Sequence, residues 1–185
     1  MPIKSVKLPT GRAVEVTYFG DINSCASHLH YKRYDCYSDT TLRAEENTYQ
    51  YNSINKIIPT LAKLLEPLMR QSFTLIVVPS SDDDADIYRE KIFADFDGRD
   101  ISDLFSKDPN YKASKNADDP KSTLEAISYN PDGLEVQIKR LVILDDSVAT
   151  GGTIDAVLER LFQAGMPEQT EIIVVTPLIA RHIKT

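Results

Sequence analysis

The stretch Leu141-Val-Ile-Leu-Asp-Asp-Ser-Val-Ala-Thr-Gly-Gly-Thr153 runs from four apolar residues through two adjacent acids into a small turn containing two glycines. A short apolar run closed in this way reads as a strand covered on both faces. The next segment, Thr153 to Gly165, sets Ile154, Val157, Leu158, Leu161 and Phe162 at helical spacing, with Gly165 as a C-terminal stop. Ile172 to Val175 with Thr176 then reads as a second strand, halted by Pro177. Strand, helix and strand in this order form a βαβ unit, whose crossover makes the two strands parallel. The predicted fold class is therefore α/β, three-layer αβα with a central, mainly parallel sheet.

Upstream, Phe73-Thr-Leu-Ile-Val-Val78, closed by Pro79-Ser80-Ser81, is a further buried strand. Before it, Ile54, Ile57, Ile58, Leu61, Leu64, Leu65 and Leu68 form an apolar stripe expected to pack on that strand. Pro59 and Pro67 imply a late start, a kink or an early end. Asp84 to Phe96 reads as a helix opened by acids, with Ile87 and Phe93 inward. Residues 97–133 carry scattered Asp, Lys, Ser and Pro with little periodicity, as expected of a mobile functional loop. Ala13-Val-Glu-Val-Thr-Tyr-Phe19 alternates apolar and polar residues. This places residues 1–45 in a small β-rich hood outside the main sheet, and 46–185 in the core.

The 185 residues suit one domain with an appended flap, and 42% apolar against 26% charged residues is an ordinary globular balance. No segment approaches the 18 or so apolar residues that span a bilayer. The start, Met1-Pro-Ile-Lys-Ser-Val-Lys7, lacks the apolar core of a secretory signal, so the cytoplasm is the expected location. A net charge of -7 argues against extended nucleic-acid binding, which needs a basic face. Any phosphate partner must be held by local geometry.

The opening stretch has such geometry. Asp145 and Asp146 fall at the carboxyl edge of the sheet, where open α/β folds bind ligands. Ala149-Thr150-Gly151-Gly152-Thr153 then enters the helix, whose first backbone N–H groups and dipole attract an anion. Thr150 and Thr153 add hydroxyls, so a phosphate monoester fits without Lys or Arg. The acids then face hydroxyls or a metal ion, and a sugar phosphate meets both needs. The alternative is an ordinary βα junction with Asp and Gly as cap and turn; the completeness of the pattern inside a βαβ unit favours the phosphate site.

All thirteen positions from Leu141 to Thr153 resemble the phosphoribosyl pyrophosphate motif of type I phosphoribosyltransferases: an apolar strand, two acids, two mostly apolar positions, a small residue and Thr-Gly-Gly-Thr. Ser147 stands where a branched apolar residue is commoner. The resemblance implies a type I phosphoribosyltransferase-like, Rossmann-like core. It also implies that Asp145 and Asp146 hold the ribose hydroxyls, that Ala149 to Thr153 bind the 5-phosphate, and that Mg²⁺ accompanies the pyrophosphate, with the two acids as indirect ligands through ribose or water. The motif lies near the C-terminus, the layout of the ComF-like branch, which leaves the N-terminal residues to supply the hood.

The family places a pyrophosphate-binding loop after an earlier parallel strand, and Ser80 and Ser81 occupy that position. Asp82, Asp83 and Asp84 depart from it, since three carboxylates repel a pyrophosphate unless they cap the next helix or engage Mg²⁺. A mobile loop typical of the family falls at residues 99–121, where Arg99, Lys107, Lys112, Lys115 and Lys121 are candidates to stabilise the leaving group. Lys112 and Lys115 are the first choices. Cys25, His28, His30 and Cys36 gather in the expected hood, but their spacing is cramped for a zinc site, so zinc is not expected. The expected activity is transfer of ribose 5-phosphate to a nitrogenous base or related acceptor. The alternative is a non-catalytic module that binds phosphoribosyl pyrophosphate or a nucleotide. A homodimer is compatible with either.

Overall fold

A computed structural model describes residues 3–22, 58–59, 62–63, 65–79, 89–93, 98–111, 120–131, 137–145 and 147–180. In chain order these contain β1 (Ile3–Lys7), β2 (Ala13–Ile22), β3 (Thr74–Val77), β4 (Arg99–Asp100), a 3-10 turn (Ser102–Leu104), β5 (Phe105–Lys107), α1 (Pro120–Ala126), β6 (Ile127–Tyr129), β7 (Arg140–Leu144), β8 (Ser147–Val148), α2 (Gly152–Gln163) and β9 (Glu171–Ala180).

Seven strands form one mixed sheet in the order β1-β2-β9-β7-β3-β4, with β8 pairing β9 beyond the end of β7. Every pairing in it is parallel except β1 with β2 at the edge. Alternate residues of the central strands feed two apolar clusters. Ile76, Leu141, Ile143 and Val174 join Ile154, Val157, Leu158 and Leu161 of α2. Leu75, Val77, Val142, Leu144 and Val175 join Leu65 and Phe93. Because successive strand residues point to opposite faces, the sheet is covered on both sides, as an α/β fold requires.

The βαβ unit forms where the periodicity places it. Helix α2 buries Ile154, Ala156, Val157, Leu158 and Leu161, and ends at Gly165 with φ 96°. There the Gly165 N–H donates to the Phe162 carbonyl (3.0 Å) and the Met166 N–H to the Leu161 carbonyl (3.0 Å), a Schellman closure. The apolar stripe before β3 ends early: residues 58, 59, 62, 63 and 65 are helical, and a turn follows over 66–70. Pro67 accounts for the stop.

Three expectations are corrected. Residues 3–22 are not a flap outside the main sheet: β2 pairs along β9 from Glu15↔Ile173 to Ile22↔Ala180. The alternation of its apolar residues reflects an outer position in the sheet, with Val14 and Val16 buried and Ala13 and Glu15 exposed. Pro177 does not halt the last strand. It falls where β9 has left β7, at Leu144↔Val175, and has not yet met β8, at Ser147↔Leu178, so on that side no ladder bond needs its missing N–H. The stretch 97–133 is not one irregular loop either. Its described residues form β4, the 3-10 turn, an antiparallel pair of β5 and β6 and the helix α1. Elements of two to seven residues are too short to show a period.

Candidate functional site

Strand order reverses between β3 and β7. From β3 the chain proceeds to β4 on one side, then returns to lay β7 on the other and continues outward to β9. In open parallel sheets such a switch opens a crevice at the carboxyl ends of the two diverging strands. The two ends are joined here: the Val78 N–H donates to the Leu144 carbonyl (2.9 Å), and the next residue, Asp145, donates its N–H to Val175 (3.1 Å). Pro79, which precedes Ser80, and Asp145, which opens the acid pair, thus leave neighbouring strands at one edge. The side chain of Asp145 is half-buried.

Beyond the acids the chain resumes against β9 in the same register through β8, burying Val148, and only then enters the turn at Ala149. Gly151 adopts φ 77° and caps α2 without a side-chain hydrogen bond. The first turn of α2 therefore has no carboxylate or hydroxyl from its N-cap residue, while its first backbone bond runs from the Asp155 N–H to the Gly151 carbonyl (2.9 Å). The Thr150 hydroxyl lies 3.3 Å from the Gly152 N–H. Thr150 is exposed, Ala149, Gly152 and Thr153 are half-buried and Gly151 is buried. Such an N-terminus, with the side chains of Thr150 and Thr153 beside it, suits a phosphate monoester.

Two neighbours of this turn carried no signal in sequence. The Tyr111 hydroxyl and the Thr123 hydroxyl hydrogen bond at 2.5 Å, both side chains being buried. Thr123 also lies against Gly152: a Cβ built on that glycine would be 3.6 Å from Thr123 Oγ1. The residues that flank 112–119 on either side are thus held together beside the turn from Ala149 to Thr153. Arg160 of α2 fixes the end of α1 by donating to the carbonyls of Leu124 (2.9 Å) and Ile127 (3.1 Å).

A second support stands at the end of β3. The buried Val77 N–H donates to the Ser102 hydroxyl (2.8 Å), which donates to Asp100 (2.5 Å). Asp100 in turn accepts from Arg89 (2.8 Å), whose guanidinium also grips Asp103 through two bonds of 2.6 and 3.0 Å. The hydrogen bonds to Asp103, the largest influence, hold Arg89 above its ordinary range, and the same contact lowers the Asp103 carboxyl.

Of the expected site residues, Asp145 and Ala149 to Thr153 are brought to one edge of the sheet. Asp146, Ser80, Ser81, Asp82 to Asp84, Lys112, Lys115 and the cluster Cys25, His28, His30 and Cys36 lie outside the described residues. Lys121 pairs with Glu125 one helical turn on (3.9 Å), and Lys107 sits 5.8 Å from the Tyr111 ring centre. Among the described residues no group of three or more His, Cys, Asp or Glu gathers for a metal ion. The half-buried Asp145 carboxylate is nevertheless a hard oxygen donor of the kind Mg²⁺ takes, one or two at a time, alongside substrate phosphates. Among the described residues no helix is long and apolar enough to cross a membrane. No family model and no curated protein matches the chain.

Proposed function

We propose that the protein is a cytoplasmic phosphoribosyltransferase, which binds phosphoribosyl pyrophosphate with Mg²⁺ and transfers ribose 5-phosphate to a nitrogenous base or related acceptor. The observation that carries this reading is the switch of strand order between β3 and β7, which brings Pro79 and Asp145, the residues that lead into Ser80–Ser81 and into the Asp145–Thr153 motif, to adjacent strand ends. A ligand with an anion at each end and hydroxyls between them fits that spacing of donors and acids. The amides and hydroxyls of Ala149 to Thr153 take the 5-phosphate. Asp145 and Asp146 accept hydrogen bonds from the ribose hydroxyls, and Ser80 and Ser81 donate to the pyrophosphate. Lys112 and Lys115 offset the charge that develops on the leaving group. Asp145 and Asp146 would hold Mg²⁺ through ribose or water, and the ion would supply further neutralisation of the pyrophosphate. The C1′–O bond to pyrophosphate breaks and a C1′–N bond to the acceptor forms; the acceptor's N–H proton leaves to solvent and the electron pair leaves with pyrophosphate.

Phosphoribosyl pyrophosphate with Mg²⁺ at about 100-fold over its Kd is expected to raise the melting temperature by roughly 5–10 °C. Asp146→Asn removes the shift. No shift in the wild-type protein at millimolar ligand overturns the reading. The run Asp82 to Asp84 favours a second reading, a module that binds this ligand without turning it over, because carboxylates beside a pyrophosphate oppose the build-up of leaving-group charge. Pyrophosphate release measured over a panel of purine and pyrimidine bases separates the two: release with any base supports the transferase, and binding without release supports the module.

A further inference from the structure

The turn between β1 and β2 rests along one stripe of α2 that begins at the phosphate loop. Leu8 and Arg12 close the turn, with the Leu8 N–H on the Arg12 carbonyl (2.8 Å) and the Gly11 N–H on the Leu8 carbonyl (2.8 Å). From it the Thr10 N–H and hydroxyl both reach the Asp155 carboxylate, at 2.7 Å each. Arg12 reaches Glu159 (3.3 Å) and stacks its guanidinium 3.7 Å from the centre of the Phe162 ring. Leu8, buried in the main core, points at Gly151: a Cβ on that glycine would stand 2.7 Å from Leu8 Cδ2. Positions 151, 155 and 159 lie one helical turn apart, so three consecutive contacts run down one face.

Asp155 has no place in the proposed chemistry, yet it is 3% exposed and satisfied by Thr10 alone among the hydrogen bonds seen. Burial pushes its carboxyl upward, against the two Thr10 bonds; Glu159 adds to the rise and Arg12 opposes it. A buried carboxylate retained at such a cost is accounted for if it fastens something that must not move.

We infer that Leu8, together with the Thr10–Asp155 clasp, is a positioning device for the 5-phosphate loop: it holds Gly151 in its left-handed conformation and so sets the direction of the first amides of α2. The inference rests on the proposed reading of that loop as a phosphate site. Leu8 fills the space on the side of Gly151 where a side chain would lie, and Thr10 prevents the turn from sliding along α2. Leu8 and Thr10 touch no ligand in this scheme; they act through the glycine and through Asp155.

The test compares two probes on the full chain, ribose 5-phosphate for the loop after β8 and inorganic pyrophosphate with Mg²⁺ for the residues that follow Pro79. Leu8→Ala is expected to raise the Kd for ribose 5-phosphate by about tenfold while that for pyrophosphate stays within about twofold. Leu8→Met, which refills the volume, restores the wild-type value. Thr10→Val, which keeps the backbone N–H to Asp155 and removes the hydroxyl, produces the same selective loss to a smaller degree and serves should Leu8→Ala not fold. Amide hydrogen exchange of the ligand-free protein supplies the second readout, with faster exchange expected across 150–154 and no change in β7. Equal weakening of both probes, or unchanged ribose 5-phosphate binding with unchanged exchange, overturns the inference. If the wild-type chain binds neither probe, the phosphoribosyl reading falls, and the exchange rates alone still decide whether Leu8 and Thr10 hold the loop.

Discussion

The unit from Arg140 to Ala180 and the stretch from 98 to 131 both border the carboxyl edge of the sheet and share one apolar core, but their elements are held in different ways. In the first, a helix with a continuous apolar stripe lies on strands whose central residues, Leu141 to Leu144 and Val174 to Thr176, are buried, and backbone ladders with burial supply the stability. In the second, elements of a few residues bury only single side chains such as Ile101, Phe105 and Ile127, and polar bonds pin them as well: Ser102 to Val77, Tyr111 to Thr123, and Arg160 to Leu124 and Ile127. One region repeats its signal along the chain, whereas the other stores it in single contacts. A repeated apolar pattern survives the loss of one residue better than a lone pin does, and substitutions in the two regions measure that difference.

The largest effect is expected where the periodic unit meets its turn. Gly151→Val places a branched side chain at φ 77° and against Leu8 Cδ2, so left-handed strain and overpacking act together. Their combined cost is about 2–5 kcal/mol. Urea denaturation measures it. A loss below about 1 kcal/mol would mean that the loop relaxes freely, contrary to the close approach of Leu8.

Next in size is the pin at the end of β3. Ser102→Ala removes the acceptor of a buried backbone N–H and one donor to Asp100. Leaving that amide unsatisfied costs about 1–3 kcal/mol. The same denaturation experiment on Ser106→Ala, an exposed serine of β5, supplies the comparison within the stretch. If Ser102→Ala costs no more, polar pinning is not what holds this stretch.

The same contrast explains what was legible in sequence. Strand β3, strand β7 and helix α2 were readable because Leu141 to Leu144 and the stripe from Ile154 to Leu161 obey strand and helix rules, and Gly165 ends the helix as glycine should. The start of α2 was readable from Thr150, Gly151, Gly152 and Thr153, small residues that lead into its apolar stripe. The place of β2 in the sheet was not: parallel pairing of residues 15–22 with 173–180 joins the two ends of the chain, and alternation alone does not say which sheet a strand enters. Nor does a proline reveal that it falls in a gap between two partner strands, as Pro177 does. Tyr111, Thr123, Ser102 and Arg89 act through partners that no local pattern names. Asp155 left a trace, a carboxylate set among Ile154, Ala156, Val157 and Leu158, all buried. An acid within an apolar run at the start of a helix is the kind of exception that marks a clasp.

The smallest effect is also the one that separates the regions by sign. Asp155 lies in the periodic unit and Asp103 in the pinned stretch, and their carboxyls are displaced in opposite directions from the ordinary 3.8. Asp155 is raised by burial, so above pH 3.8 the unfolded chain releases a proton that the folded chain still holds, and wild-type stability falls until the folded group has ionised. Asp155→Asn abolishes that dependence, and its stability relative to wild type is expected to rise with pH across the window. Asp103 is lowered by its hydrogen bond from Arg89, so its contribution is present above pH 3.8 and disappears as pH falls through the folded value. The disadvantage of Asp103→Asn therefore closes on acidification. Asp103 is largely exposed, which screens the pair and keeps the change small. Thermal melts of both variants and the wild type between pH 3 and 7 decide the matter: opposite slopes support a buried clasp in one region and an exposed pin in the other, and slopes of the same sign would show that one of the two carboxylates has been assigned the wrong environment.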